Sequence, residues 1–245
     1  MRIASRLFLS LSLLCAAASV AHADEPASPE AASTEPAPAF DPIEPVNRAT
    51  FALNDVIDMI IVNPLVSLWN GVLPQPVRQG VSNVFDNLDD VYAGVNHVLQ
   101  GSPSTAGADF GRVIVNTTVG VGGLFDVGTK VGLKKTYGDF GQTLGVWGFS
   151  TGPYVVLPLI GPSTLRDTSG RAVRVVTDAR NLLPSNTSYA LMGTEYLATR
   201  ADAKSNENLV AASSLDRYVF VRNLYLQRRA MLVKTGKDIA AGKAQ

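Results

Sequence analysis

Apolar and polar positions along most of this chain recur with the three-and-four step of a helix. Val77, Val81, Val84, Leu88, Val91, Val95 and Val98 advance by threes and fours through LPQPVRQGVSNVFDNLDDVYAGVNHVLQG, which lines one face of an α-helix. Pro76 suits its first turn and Gly101 its end. Gly80 and Gly94 weaken it, and Asp86-Asn87 marks a point where it can break. Ahead of it, Ala49, Leu53, Val56, Ile57, Ile60 and Ile61 predict a helix that Asn63-Pro64 should end. Behind it, Ala106, Phe110, Val113, Ile114 and Thr117 predict a helix from about Pro103 to Thr118. Further helices are expected within RAVRVVTDARNLLP up to Pro184, from Thr187 to Lys204, and from about Asp216 to Val233. The last sets Val221, Leu224, Tyr225 and Leu232 against Arg217, Arg222, Arg228 and Arg229.

Two stretches break the helical pattern. VGVGGLFDVGTKVG, residues 119–132, scatters glycines among apolar residues, which predicts a hinge or a tight helix–helix approach. GQTLGVWGFSTGPYVVLPLIGPSTLRD, residues 141–167, holds five glycines and three prolines, and no ionisable side chain but Tyr154 before Arg166. It is a poor long helix, yet too apolar for an ordinary surface loop. An uncharged, bent, apolar segment in mid-chain must be buried or must face lipid or an apolar ligand. No repeat of fixed period appears, and past the N-terminus no run approaches the ~20 apolar residues of a spanning helix.

Residues 1–23 read as a secretory signal, with Arg2 and Arg6, an apolar run from Leu7 to Val20, and Ala21-His22-Ala23 as the cleavage site. A lipoprotein signal acylated at Cys15 and a retained signal anchor are the alternatives. Leu14 stands where a lipobox needs a small residue, so lipidation at Cys15 is disfavoured. Residues 24–40, DEPASPEAASTEPAPAF, cannot bury apolar area and read either as an extended, disordered tether or as a frayed terminus. A helical body over 41–235 and a C-terminal tail over 236–245 complete the division.

Only 17% of the 245 residues are charged, below the ~25% usual for soluble domains, which hints that part of the surface does not face water. Without Arg2 and Arg6, 19 basic residues face 21 acidic ones, a charge too small to imply nucleic acid. Cleavage would also remove Cys15, the one cysteine, leaving no disulfide or thiol chemistry.

Catalytic motifs are weak. GFSTG places Ser150 in a G-x-S-x-G pattern, but His97 precedes it, against the order of that fold. His97 reads as a solvated or hydrogen-bonded residue. Asp86, Asp89 and Asp90 read as the wet face of a helix rather than a cation site. The glycines at 120, 122 and 123 fit neither a dinucleotide fingerprint nor a phosphate-binding loop. No enzyme activity, metal or cofactor is expected.

The segments DPIEPVNR, LPQPVRQGVSN, VNHVLQG, VGGLFDV, FGQTLGVWG, GPYVVLPLIGPSTLRD and YVFVRNLYLQRR, in that order across roughly Asp41 to Arg229, resemble the VacJ/MlaA family. The resemblance implies a mainly α fold: one helical domain forming a ring in the inner leaflet of the outer membrane, pierced by an amphipathic pore. It implies removal of mislocalised phospholipid from the outer leaflet toward the inner membrane. The implied partners are phospholipid, a trimeric outer-membrane porin and a periplasmic phospholipid carrier protein. The implied lipid path or gate takes Gly120, Gly122, Gly123, Phe125, Asp126, Tyr154, Arg166 and Asp167. Asn47, Arg48, Pro74, Pro76, Arg78, Asn83, Gly141, Gly145 and Pro153 fall in the motifs as structural positions. Family members usually carry a lipobox, and this chain departs from that, so either the body alone holds the membrane or the protein acts from the periplasm. Arg166 and Asp167 are expected to pair in structure or at the pore rim. A non-transporting structural envelope protein is the alternative of another class, and an esterase using Ser150 the third.

Overall fold

The computed structural model describes residues 41–211 and 216–243. The expected signal peptide, Cys15 and the 24–40 linker lie outside them. The first helical stretch does not stop at Asn63-Pro64. Helix α1 (Glu44–Ile57) passes through a π turn (Asp58–Val62) into α2 (Asn63–Val72). The π turn bonds each residue one position further along the chain. Pro64 thus falls in the first turn of α2, where its missing N–H costs little. The result is a 29-residue helical run from Glu44 to Val72 that is long and apolar enough to cross a membrane by length and composition. Polar residues interrupt its sequence, so a search for an unbroken apolar run passes over it.

Helix α3 (Gln75–Leu99) runs unbroken past Asp86-Asn87, and α4 (Pro103–Thr118) packs along it. Pro74 is the N-cap of α3 and Pro76 sits in its first turn. Gly94 permits the α3–α4 approach: a Cβ there would lie 2.8 Å from the Phe110 ring. The glycine-rich segment then turns back on the end of α4. The amides of Gly122 and Gly123 donate to the carbonyls of Thr117 and Asn116, and the Phe125 amide donates to that of Gly120. Val121 (φ 55°), Gly122 (68°) and Gly123 (89°) all sit in the left-handed region. A single helical turn, α5 (Val127–Lys130), follows under an Asp126 N-cap.

Helix α6 (Phe140–Val146) leads into the uncharged stretch, which folds as a hairpin of β1 (Tyr154–Leu157) and β2 (Gly161–Thr164), antiparallel, with Tyr154 opposite Thr164. Two strands of four residues are too short to stand alone. Asparagines of α1 hold them. The Asn47 side chain donates to the Tyr154 carbonyl (3.0 Å) and accepts from the Val156 amide (2.8 Å). One spacing of seven along the helix, Asn54 does the same for the Leu157 carbonyl and the Leu159 amide. A carboxamide carries one donor and one acceptor in plane, as a peptide does, so each asparagine stands in for a missing neighbouring strand.

Helix α7 (Leu165–Thr177), a 3₁₀ turn (Ala179–Leu182), α8 (Ser185–Ala211) and α9 (Arg217–Ala240) complete the chain. Helices α6 and α7 nearly touch, for a Cβ on Gly170 would lie 2.2 Å from the Gly141 amide nitrogen. Gly145 and Gly236 likewise let α9 pass α6 beside Val233 and Val146. Because α9 continues through Ala240 with Gly236 buried in that contact, the expected tail from 236 begins inside a helix. Tyr154, Val156, Tyr218 and Tyr225 form one apolar cluster, and Val62, Val66 and Ala201 another.

The distribution of polarity is inverted. Among the described residues 21 polar or charged side chains are buried against 14 apolar ones. The stripe read from the sequence is a helical face, but it looks outward: Val77, Leu88, Val91, Val95 and Val98 are exposed, while Asn87, Asp90, Asn96 and His97 of the same helix are buried. On α4 the buried face is Ala106, Asp109, Arg112 and Asn116, and Ile114 is out. Along the π turn and α2, Met59, Ile60, Leu68 and Val72 are each more than 60% exposed. Water would drive these side chains inward at about 1.5 kcal/mol or more apiece. The arrangement suits a body whose outer face meets hydrocarbon.

Candidate functional site

Three of the buried charged residues, Asp167, Glu195 and Arg229, border a cavity of about 240 Å³ between α3, α7, α8, α9 and the segment that precedes α6. Its wall carries Asp86, Asp89, Asp139, Asp167, Glu195 and Asp202, and Arg171, Arg174, Arg228 and Arg229. Most of these charges are tied to one another, because unpaired burial of a charge is expensive. Arg229, 3% exposed, donates to Asp139 (2.9 Å) and Asp167 (2.8 Å). Asp167 also accepts from Arg166 (3.1 and 3.2 Å) and from the Tyr225 hydroxyl (2.7 Å). Asp139 keeps 39% of its side chain open. Burial acts to raise its pKa, yet the Arg229 guanidinium outweighs that and holds the carboxyl at about 2.

A second cluster joins α3 to α7 and α8. Arg174 bonds Asp89 and lies 3.8 Å from Glu195, which also bonds Arg180. Burial raises the Glu195 pKa, with Asp89 adding to it. A third holds α3, α4 and the loop before α6. Arg112, 1% exposed, donates to Asp90 (2.9 Å), and Lys135 reaches Asp86 (2.9 Å) and Asp90 (3.4 Å). Burial opposes the Lys135 charge, but these carboxylates hold its pKa above the usual value. The three aspartates read as a wet helix face are thus each engaged by a cation, and Asp90 is buried. The reason is that Arg112, Lys135 and Arg174 come from other elements, at separations no helical spacing reveals.

His97 is buried and pairs with Asp109 (2.6 Å), which also accepts from Thr136. Ser150 is exposed after α6, and among the described residues no hydrogen bond links it to His97. The arrangement is a structural polar triad.

The residues expected on a lipid path separate. Asp167 lines the cavity and Arg166 ties it from behind, also donating to the Thr151 hydroxyl (3.3 Å). Tyr154 is fully buried, edge-on to Tyr218 and Tyr225, and has no surface to offer a lipid. Gly120 is buried, and a Cβ there would lie 2.3 Å from the Phe125 carbonyl oxygen. Gly122 meets nothing within 4 Å, and Gly123 packs on Asn87. Phe125 is 58% exposed on the outside, and Asp126 caps α5 while bonding Arg112. None of Gly120, Gly122, Gly123, Phe125 or Asp126 borders the cavity.

The motif positions are structural in identifiable ways. Arg48 bonds Glu44 and Asp216 and lies over the Tyr218 ring. Arg78 and Asn83 tie α3 to the Leu73 and Leu124 carbonyls. Pro153 accepts from the Leu165 amide, and Gly141 and Gly145 are the close approaches of α6. Sequence reasoning placed Arg229 on the polar side of the last helix and did not single out Asp139. The signal for Arg229 was the density of arginine on α9, ten residues of which carry Arg222, Arg228 and Arg229.

Comparison with known proteins matches residues 39–232 to the family model described as MlaA lipoprotein. The chain is 36% identical over 201 residues to the intermembrane phospholipid transport system lipoprotein MlaA of Escherichia coli, covering 80% of each chain. The corresponding Haemophilus influenzae protein is 30% identical over 207 residues, again across 80% of each. A solved structure from work on the structural basis for maintenance of bacterial outer membrane lipid asymmetry is similar at a TM-score of 0.69 and 35% identity. The match covers 79% of this chain and 98% of that one.

Proposed function

We propose, from the premise that the chain belongs to the MlaA lipoprotein family, that it moves mislocalised phospholipid out of the outer leaflet of the outer membrane toward the inner membrane and so maintains lipid asymmetry. The observation that carries this reading is the inversion: an apolar exterior around a cavity whose wall carries acids and arginines, most of them paired. Acyl chains can stay against apolar surface while a headgroup, whose unpaired burial costs several kcal/mol, keeps a polar path. Nothing in this step makes or breaks a bond.

In the same reading the body sits at the periplasmic face of the outer membrane, in its inner leaflet, as a ring around an amphipathic pore. It works beside a trimeric porin and hands lipid to a periplasmic carrier protein. The exposed helical run from Glu44 to Val72 supports membrane embedding, and the cavity, lined by both charged and apolar surface, supports an amphipathic lumen. The test is outer-surface phospholipid in a strain lacking this protein, together with mass spectrometry of lipid that co-purifies with it. The reading expects surface phospholipid to rise and phospholipid to co-purify. An unchanged surface and a lipid-free protein would favour a structural envelope role instead.

A further inference from the structure

Two cavity arginines stand apart from the ion-pair clusters. Arg171 of α7 donates through one nitrogen to the Pro162 carbonyl (3.2 Å), but its Nη1 is buried without a partner. Arg228 of α9 has the Tyr137 ring 5.9 Å from its guanidinium carbon, and its Nη1 is likewise buried and unpartnered. Among the described residues no carboxylate lies within 4 Å of either, while Arg174 and Arg229 in the same wall are each engaged by acids. The Tyr92 hydroxyl, which also lines the cavity, is a third buried group with no partner.

The acids around them are largely spoken for. Arg229 engages Asp139 and Asp167, Arg166 also engages Asp167, Lys135 engages Asp86, and Arg174 engages Asp89 and Glu195, while Arg171 acts on Asp139 only through space. Asp202 has only the Ser82 hydroxyl, at 2.9 Å. A water molecule could satisfy a stray N–H but not the charge behind it. A guanidinium offers donors in a planar fork that matches a phosphate's oxygens, which single-point lysine contacts do not.

We propose that Arg171 and Arg228, with the Tyr92 hydroxyl on the same cavity wall, form an anion subsite that takes the phosphodiester of a phospholipid headgroup. This rests on the transport reading above and adds the residues that hold the lipid at its phosphate. Free phosphate shares that chemistry, so the test must separate the two sources.

The experiment uses the full chain in detergent micelles and measures its affinity for three probes: dihexanoylphosphatidylethanolamine, dihexanoylglycerol and inorganic phosphate. The phospholipid should bind about tenfold or more tighter than the diacylglycerol, the scale of a charge-assisted hydrogen bond. Arg171→Gln and Arg228→Gln should each weaken phospholipid binding by about tenfold at an unchanged thermal midpoint, and leave diacylglycerol binding alone. Arg→Lys at either position should retain part of the affinity. Equal binding of phospholipid and diacylglycerol by the unmodified protein would overturn the subsite while leaving a lipid path, and this arm needs no variant to fold. Inorganic phosphate binding as tightly as the phospholipid would overturn the lipid assignment. Failure of both lipids to bind would remove the transport reading itself.

Discussion

Asp167 joins α7 to α9, and replacing it by asparagine is the sharpest perturbation of the polar interior. Its carboxylate is 3% exposed and accepts from Arg229 (2.8 Å), from Arg166 and from the Tyr225 hydroxyl. Asparagine keeps the shape and can still accept from Tyr225. It removes the charge, so Arg166 is left with the Thr151 hydroxyl and Arg229 with Asp139 alone. Removing one partner of a buried pair costs ~3–5 kcal/mol. Because Asp139 remains, Asp167→Asn should fall near the lower end, ~3 kcal/mol. Arg229→Met leaves Asp139, 39% of whose side chain is open, without its guanidinium and Asp167 with Arg166 alone, and should cost a similar ~3 kcal/mol. Denaturant unfolding of the purified protein in micelles measures both. Losses below ~1 kcal/mol in both variants, as for exposed pairs, would refute the reasoning. The structure also changes what a charge swap should do. With Arg166 and Asp167 as an isolated pair, exchanging them would partly restore function. Since residue 167 also faces Arg229, the exchange sets two cations together, and no rescue is expected.

Other consequences follow from single contacts. Gly170→Ala should abolish accumulation of folded protein, since the new Cβ would lie 2.2 Å from the Gly141 amide nitrogen. Solubilised protein level against a Gly193→Ala control, where space is open, measures it. Asn47→Ala strips the Tyr154 carbonyl and Val156 amide of buried partners and should destabilise by ~2–4 kcal/mol in the same unfolding assay. Gly122→Ala and Gly123→Ala each force a side chain into positive φ, at ~1 kcal/mol or more. If the turn only packs, detergent sensitivity of cells should track protein level, whereas a change in sensitivity at constant level would mark a hinge. The folded Asp139 carboxyl, at about 2, lies below its unfolded value of ~3.9. Its stabilisation is therefore present above ~pH 4 and lost as pH falls toward 2. Unfolding midpoints should decline over that window and do so less in Arg229→Met.

The sequence was most legible where chain chemistry acts locally. The limits of α4, Pro103 to Thr118, came out as observed, because a proline opens the helix and the glycine-rich turn closes it. The stripe from Val77 to Val98 was legible as a helix but not as to which way it faces. An apolar face normally means a core, and only the partners of Asp90 and Asn87 show that the polar face is the inside. The hairpin was illegible as strands, since Asn47 and Asn54 lie more than 100 residues from the groups they hold. Pro64 read as a stop because a π turn has no composition of its own. In the site, Arg166 and Asp167 were visible as the first charges after a long apolar stretch. Arg229 and Asp139 were not, since their pairing spans 90 residues. Tyr154 shared a motif with them, yet its role is to fill the aromatic cluster under the hairpin.

A body that is apolar outside and polar within should sit in lipid. The direct measurement is the accessibility of spin labels placed singly on the protein in a lipid bilayer. Labels at Ile60, Leu68 and Val95, all exposed on the apolar face, should relax with oxygen and be shielded from a water-soluble nickel chelate. A label at Thr199, on the cavity wall, should show the reverse. Strong nickel relaxation at Ile60, Leu68 and Val95 alike would mean that the apolar face meets water, and would contradict the account.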